Sequence, residues 1–284
     1  MSERYDLGSI TCPSGILVVL DLGYLGLWSG SSEPQPHFSG SESAEIRAAM
    51  ESMRDYQIVG PDATRLGEIA DKAAICSFRY LYDIPESGRD AFFAGIDDIA
   101  AKNGLDAHIE PEPAPVPHRI RAQRAADLGG GEFFMEGVPV VAVGGIPNRL
   151  LHVSAERRDF GGVVGSRWGE LTVTVSPGTP QASQLVGYFG VDYGTALLGD
   201  ADAISDRTIE RELRRQIELN PEEIGAVQVG GAMMLGMSNS WGDGLFPVYA
   251  DRAASGELVA VRLVLGDEQR RQLAEKVWER ASRR

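Results

Sequence analysis

The chain has 284 residues, 43% of them apolar, enough to fill the core of one large domain. Its 27 Lys and Arg against 41 Asp and Glu leave a net charge of −14, which disfavours nucleic acid and anionic membranes as partners and suits a small polar ligand or a basic protein. No run approaches about 18 apolar residues, and the start Met-Ser-Glu-Arg-Tyr-Asp lacks the basic-then-apolar plan of a signal peptide, so a cytoplasmic protein is expected.

The run 16–20 is short, β-branched and bounded by a Pro-Ser-Gly turn and Asp21, as a buried strand would be. A surface loop over 29–42 follows. Ile46, Ala49, Met50 and Met53 then share one helical face, and Asp62 can cap a helix running to residue 73. Phe92, Phe93, Ile96 and Ile99 predict a third helix, closed by Asn103-Gly104. Four prolines between 110 and 117 make an extended connector, and Arg119, Arg121 and Arg124 space their charges as a solvated helix face would. Residues 43–130 therefore form a helical insert within a single domain.

From 132 onward the pattern is of strands, at 138–143, 150–154, 162–164 and 170–175, then 226–229, 232–237, 245–250 and 257–265. A helix is expected at 208–219 and another over the tail from 267. With 34 glycines for turns and bulges, the class is α+β: a largely antiparallel sheet or sandwich with a helical insert and a C-terminal helix. Homo-oligomerisation through the insert is open.

Displacing the chain by 179 residues lays 11–21 on 190–200, matching Gly15 to Gly194 and Asp21 to Asp200 with apolar pairs between. This predicts two strand–turn–strand units, either a duplication or two similar hairpins in one sheet. The Leu-Gly-x-Ile-x-x-Pro-Ser-Gly element ending at Asp21, the Gly-Val-Asp-x-Gly-Thr element at 190–195 and Trp241-Gly242-Asp243-Gly244 with Pro247 resemble an uncharacterised bacterial family, domain of unknown function 4241. The chain departs from that pattern at Asn239-Ser240, Phe246 and Leu22. The resemblance implies a fold and a candidate surface, with no activity attached.

Two readings of the Trp241-Gly242-Asp243-Gly244 turn stand side by side. In one, the glycines take positive φ and Asp243 holds nearby amides. In the other, bare backbone admits a ligand beside Trp241 and Asp243, joined by Gly244, Asp192, Asp200 and Tyr24, with Asp243 or Asp21 as general acid or base. The four histidines have no zinc-ligand spacing and no glycine run continues as a phosphate loop, so neither metal nor cofactor is expected. Cys12 and Cys76 read as reduced, buried thiols. Arg79, Tyr80, Tyr82, Asp83, His108, Glu110 and His118 could line a pocket between insert and sheet. The leading expectation is a binding module, of immunity or accessory type; the alternative is an enzyme acting on a small polar metabolite.

Overall fold

A computed structural model of the chain describes residues 2–38, 40, 43–72, 79–206 and 208–282; Cys76 lies outside them. The first elements are β1 (Ser2–Ile10), β2 (Ile16–Asp21), α1 (Ala44–Glu51), β3 (Arg54–Val59), α2 (Ala63–Lys72), β4 (Tyr80–Ile84), α3 (Arg89–Asn103), β5 (His108–Pro111) and α4 (His118–Asp127). Next come β6 (Gly131–Met135), β7 (Val138–Gly144), β8 (Leu151–Asp159), β9 (Ser166–Thr174), β10 (Ala182–Val191) and β11 (Thr195–Asp200). The chain continues through α5 (Thr208–Leu219), β12 (Ile224–Val229), β13 (Ala232–Ser238), β14 (Gly244–Arg252), β15 (Leu258–Val264) and α6 (Glu268–Ser282). Short 3-10 turns over Leu22–Leu27 and Ala203–Ser205 follow β2 and β11.

The class is α+β. Two six-stranded antiparallel sheets, ordered β1-β8-β9-β15-β14-β10 and β12-β13-β11-β2-β7-β6, make the sandwich; a third sheet, β4-β3-β5, belongs to the inserted segment. Strand β2 is a continuous apolar run because both its faces are covered. Leu17 and Val19 enter the core between the sheets, while Ile16, Val18 and Leu20 enter a second layer that includes Ala122 and Ala125 of α4 and Ile209 and Leu213 of α5.

The repeat legible at 11–21 and 190–200 is the local trace of a larger internal symmetry. Val19 lies opposite Leu198, its own counterpart in the repeat, so a pseudo-two-fold axis passes through that pair and exchanges β2 with β11. The same operation exchanges β7 with β13 and β6 with β12 in one sheet, and β1 with β10, β8 with β14 and β9 with β15 in the other. It passes through the Thr172–Arg262 pair there. Even the bulges correspond: Gly8 and Gly187 each take positive φ where the register of β1 and β10 shifts. Helices α4 and α5 occupy equivalent places, and the segment from α1 to β5 has no equivalent in the second half.

Several expectations are corrected by the three-dimensional arrangement. Residues 43–130 hold a small sheet as well as helices, with Tyr56, Ile58, Leu66, Leu81 and Ile96 forming their own core. The stretch 162–164 is no strand but the β8–β9 turn, where Gly161, Gly162 and Gly165 at positive φ outweigh the β propensity of two valines.

Arg121 is not solvated: it is 1% exposed. Its guanidinium donates to Asp55 Oδ2 at 3.0 Å, to Asp83 Oδ2 at 2.8 Å and to the carbonyls of Val116 and Phe134, binding β3 and β4 of the insert to α4 and β6 of the sandwich. Among the described residues no helix is long and apolar enough to cross a membrane.

Candidate functional site

Asp21 and Asp200 close the two central strands, and the pseudo-two-fold axis gives them equivalent work. Asp21 Oδ1 accepts the N–H of Gly23 at 2.8 Å, and its Oδ2 accepts those of Asp192 and Tyr193, both at 2.7 Å. Asp200 Oδ1 accepts from Asp202 and Ala203 at 3.0 and 3.1 Å, and its Oδ2 from Ser14 at 2.7 Å. Ser14 is the counterpart of Tyr193; the counterpart of Asp192 is Pro13, which has no N–H to give. Each carboxylate therefore pins the turn after its own strand to the turn before the neighbouring one. Both are buried, Asp21 completely. Burial raises the Asp21 pKa, and the three amides oppose that rise.

The aspartates sit at opposite ends of the sandwich, since Asp21 pairs with Ala196 and Asp200 with Leu17. They stand four positions apart along the strands, about 13 Å. What gathers at the Asp21 end is a different group. The Tyr24 hydroxyl donates to Asp192 Oδ2, and burial together with that carboxylate raises the Tyr24 pKa. The rings of Tyr24 and Tyr193 meet edge to face with centroids 5.4 Å apart. Tyr193 is 58% exposed, yet its ring lies so close to Gly23 that a Cβ there would come within 2.2 Å of it.

The Trp241-Gly242-Asp243-Gly244 turn carries the chain from β13 to β14, that is from one sheet to the other. Asn239, fully buried, organises it: Oδ1 accepts the N–H groups of Trp241 and Gly242 at 2.8 and 2.9 Å, and Nδ2 donates to the Gly242 carbonyl. The Asn239 N–H donates to the Gly194 carbonyl, joining this turn to the Tyr193 end. Trp241 is committed to packing, with Nε1 donating to the Trp168 carbonyl at 2.7 Å, its ring edge to face with Phe160 and pressed on Gly266. Asp243 is exposed and accepts no hydrogen bond among the described residues. Gly244 takes positive φ beside Arg270, whose guanidinium lies over Phe246 and donates to the Leu245 carbonyl.

Asp21, Tyr24 and Asp192 thus come together, while Asp200 lies at the far end and Asp243 stands exposed on the turn that Asn239 ties to Gly194. Among the described residues no three His, Cys, Asp or Glu side chains are grouped as metal ligands. Cys12 is buried and its thiol is pushed up to about 12 by desolvation, which keeps it from acting as a thiolate nucleophile. Of the residues expected between insert and sheet, Asp83 lines a cleft of about 160 Å³ with Asp55, Arg121 and Glu136, whereas His118 is buried and His108 pairs with Glu110 at the surface.

Sequence reasoning passed over Tyr193 and Gly23. The signal was in the repeat itself, where Tyr193 stands opposite Ser14 and Asp192 opposite Pro13, just before the shared glycine. No family model, no curated protein and no solved structure matches the chain.

Proposed function

We propose that the chain is a cytoplasmic binding module that presents the Tyr24–Asp192–Tyr193 end of the sandwich to a basic partner. The observation that carries this reading is an internal comparison. Both ends close with an aspartate that accepts three backbone amides and with a left-handed glycine, and each has an exposed carboxylate nearby; but Asp202 at the Asp200 end is paired with Arg119, whereas Asp192 has no ion-pair partner among the described residues and stands beside two tyrosines. The equivalents of Tyr24, Asp192 and Tyr193 are Ala203, Pro13 and Ser14, so the fold closes this kind of turn without them. Groups a fold does not need, held rigidly and exposed, are candidates for recognition.

The enzyme reading has weaker support. A general acid or base must reach a substrate, and Asp21, whose pKa burial raises, is enclosed and saturated by backbone amides. Asp243 is solvated and distant in role from it. The motif resemblance adds no activity to choose between them.

The test is site-specific photocrosslinking in cells, with a benzophenone amino acid in place of Tyr193 or, as the symmetry-matched control, of Ser14. A discrete adduct from the Tyr193 position alone is expected. Absence of any adduct, or equal adducts from both positions, would count against a partner at this end.

A further inference from the structure

We infer that the Tyr24–Asp192–Tyr193 corner is built to take a guanidinium group, namely an arginine side chain of the basic partner; this rests on the binding reading above and specifies its chemistry. Three features of the corner argue for a planar cation. Tyr193 offers a ring that is 58% exposed, and a ring face attracts a cation through its quadrupole. That ring is held, not free: it rests against the bare backbone of Gly23 and meets Tyr24 edge to face, so little rotamer freedom is lost on binding.

The second feature is charge. Asp192 Oδ2 is taken by the Tyr24 hydroxyl, which orients the carboxylate and leaves Oδ1 without a donor among the described residues. Asp21, whose Oδ2 accepts the Asp192 and Tyr193 amides, has only backbone N–H partners among the described residues and brings a second carboxylate to the corner. A neutral donor could bond to the open oxygen but would gain nothing from the net charge, whereas a cation gains from both.

The third feature is that the chain already places a guanidinium near this ring. Arg214 of α5 stands 5.9 Å from the Tyr193 centroid while its Nε donates to Glu210 at 3.0 Å. That contact lies at the outer limit of cation–π range, and Glu210 draws the head group the other way. An incoming arginine can therefore use the exposed ring together with the open Asp192 oxygen, pairing stacking with a charge-assisted hydrogen bond.

The experiment is NMR titration of the whole protein with N-acetyl-arginine amide, and with the citrulline analogue, which keeps the shape and loses the charge. Saturable shifts centred on residues 23–24 and 192–194 are expected for the arginine probe, with binding at least about fivefold weaker for citrulline and for Asp192→Asn. Tyr193→Phe should retain binding and Tyr193→Ala should lose it. The inference is overturned if citrulline binds as well as arginine, if the shifts spread over the acidic surface and survive Tyr193→Ala, or if nothing saturates. Should the Tyr193 crosslink form while the arginine probe fails, the binding reading stands and only the guanidinium assignment falls.

Discussion

The two buried aspartates explain why one carboxylate can look catalytic in sequence and be structural in space. A carboxylate that accepts three N–H groups replaces the water it lost; an asparagine offers one oxygen and turns an NH2 toward at least one of those donors. Asp21→Asn is therefore expected to lower stability by about 2–3 kcal/mol, and Asp200→Asn by a similar amount. Urea midpoints of the two variants would check this, and a loss at only one of the sites would break the equivalence. His118 supplies a pH-dependent counterpart. Its Nδ1 accepts the Ser29 N–H at 3.0 Å, and burial lowers its pKa from 6.5 to about 3. Between those values the unfolded chain holds the proton and the folded one does not, so stability falls as pH drops through that window. The slope due to His118 is up to about 1.4 kcal/mol per pH unit, and it should vanish from urea midpoints between pH 4 and 6 in His118→Gln. The sequence marked Asp21 and Asp200 as equivalent ends of a repeat. That they are buried against each other's turns depends on the β2–β11 pairing, which no local pattern encodes.

Helix α4 shows how an element can be placed correctly and oriented wrongly. Three arginines in six residues imply solvent, but at about 100° per residue Arg121 points away from Arg119 and shares its face with His118, Ala122 and Ala125. That face is the buried one. Its only apolar members are alanines, so the hydrophobic periodicity that revealed the helix at 90–102 is absent and the arginine disguises a core position. The buried guanidinium joins two carboxylates on the insert to a helix and a carbonyl on the sandwich, and removing it would leave Asp55 and Asp83 without their shared cation. Arg121→Met should cost about 3–5 kcal/mol and loosen the insert first. Limited proteolysis would then cut within 44–111 before it cuts the sandwich, and an unchanged cleavage pattern would mean that packing around Tyr82 and Val116 holds the insert unaided.

The two-fold organisation was visible in only eleven residues for a mechanical reason. Val19 and its counterpart Leu198 stand 179 residues apart, but beyond the insert the displacement contracts, so Gly131 and its counterpart Gly225 stand 94 apart. A comparison at one fixed displacement sees the units before the insert and loses those after it. Each half contributes three adjacent strands to each sheet, and within the sheets the halves join where β2 meets β11, where β9 meets β15 and at the Thr11–Met233 bridge. A half on its own would expose two open strand edges and its share of the common core, a state that favours association over folding alone. Cutting the chain in the connector between β9 and β10, after Gly178, should yield fragments 1–178 and 179–284 that show no cooperative thermal transition separately. Refolded together, they should form a one-to-one complex that melts cooperatively, measurable by circular dichroism and light scattering. A 179–284 fragment that melted cooperatively as a monomer would instead make each half a domain in its own right. The rungs across the axis would then be a docking contact between two finished units, and the Asp21–Tyr193 bonds, which cross from one half to the other, would be part of that dock instead of part of the folding core.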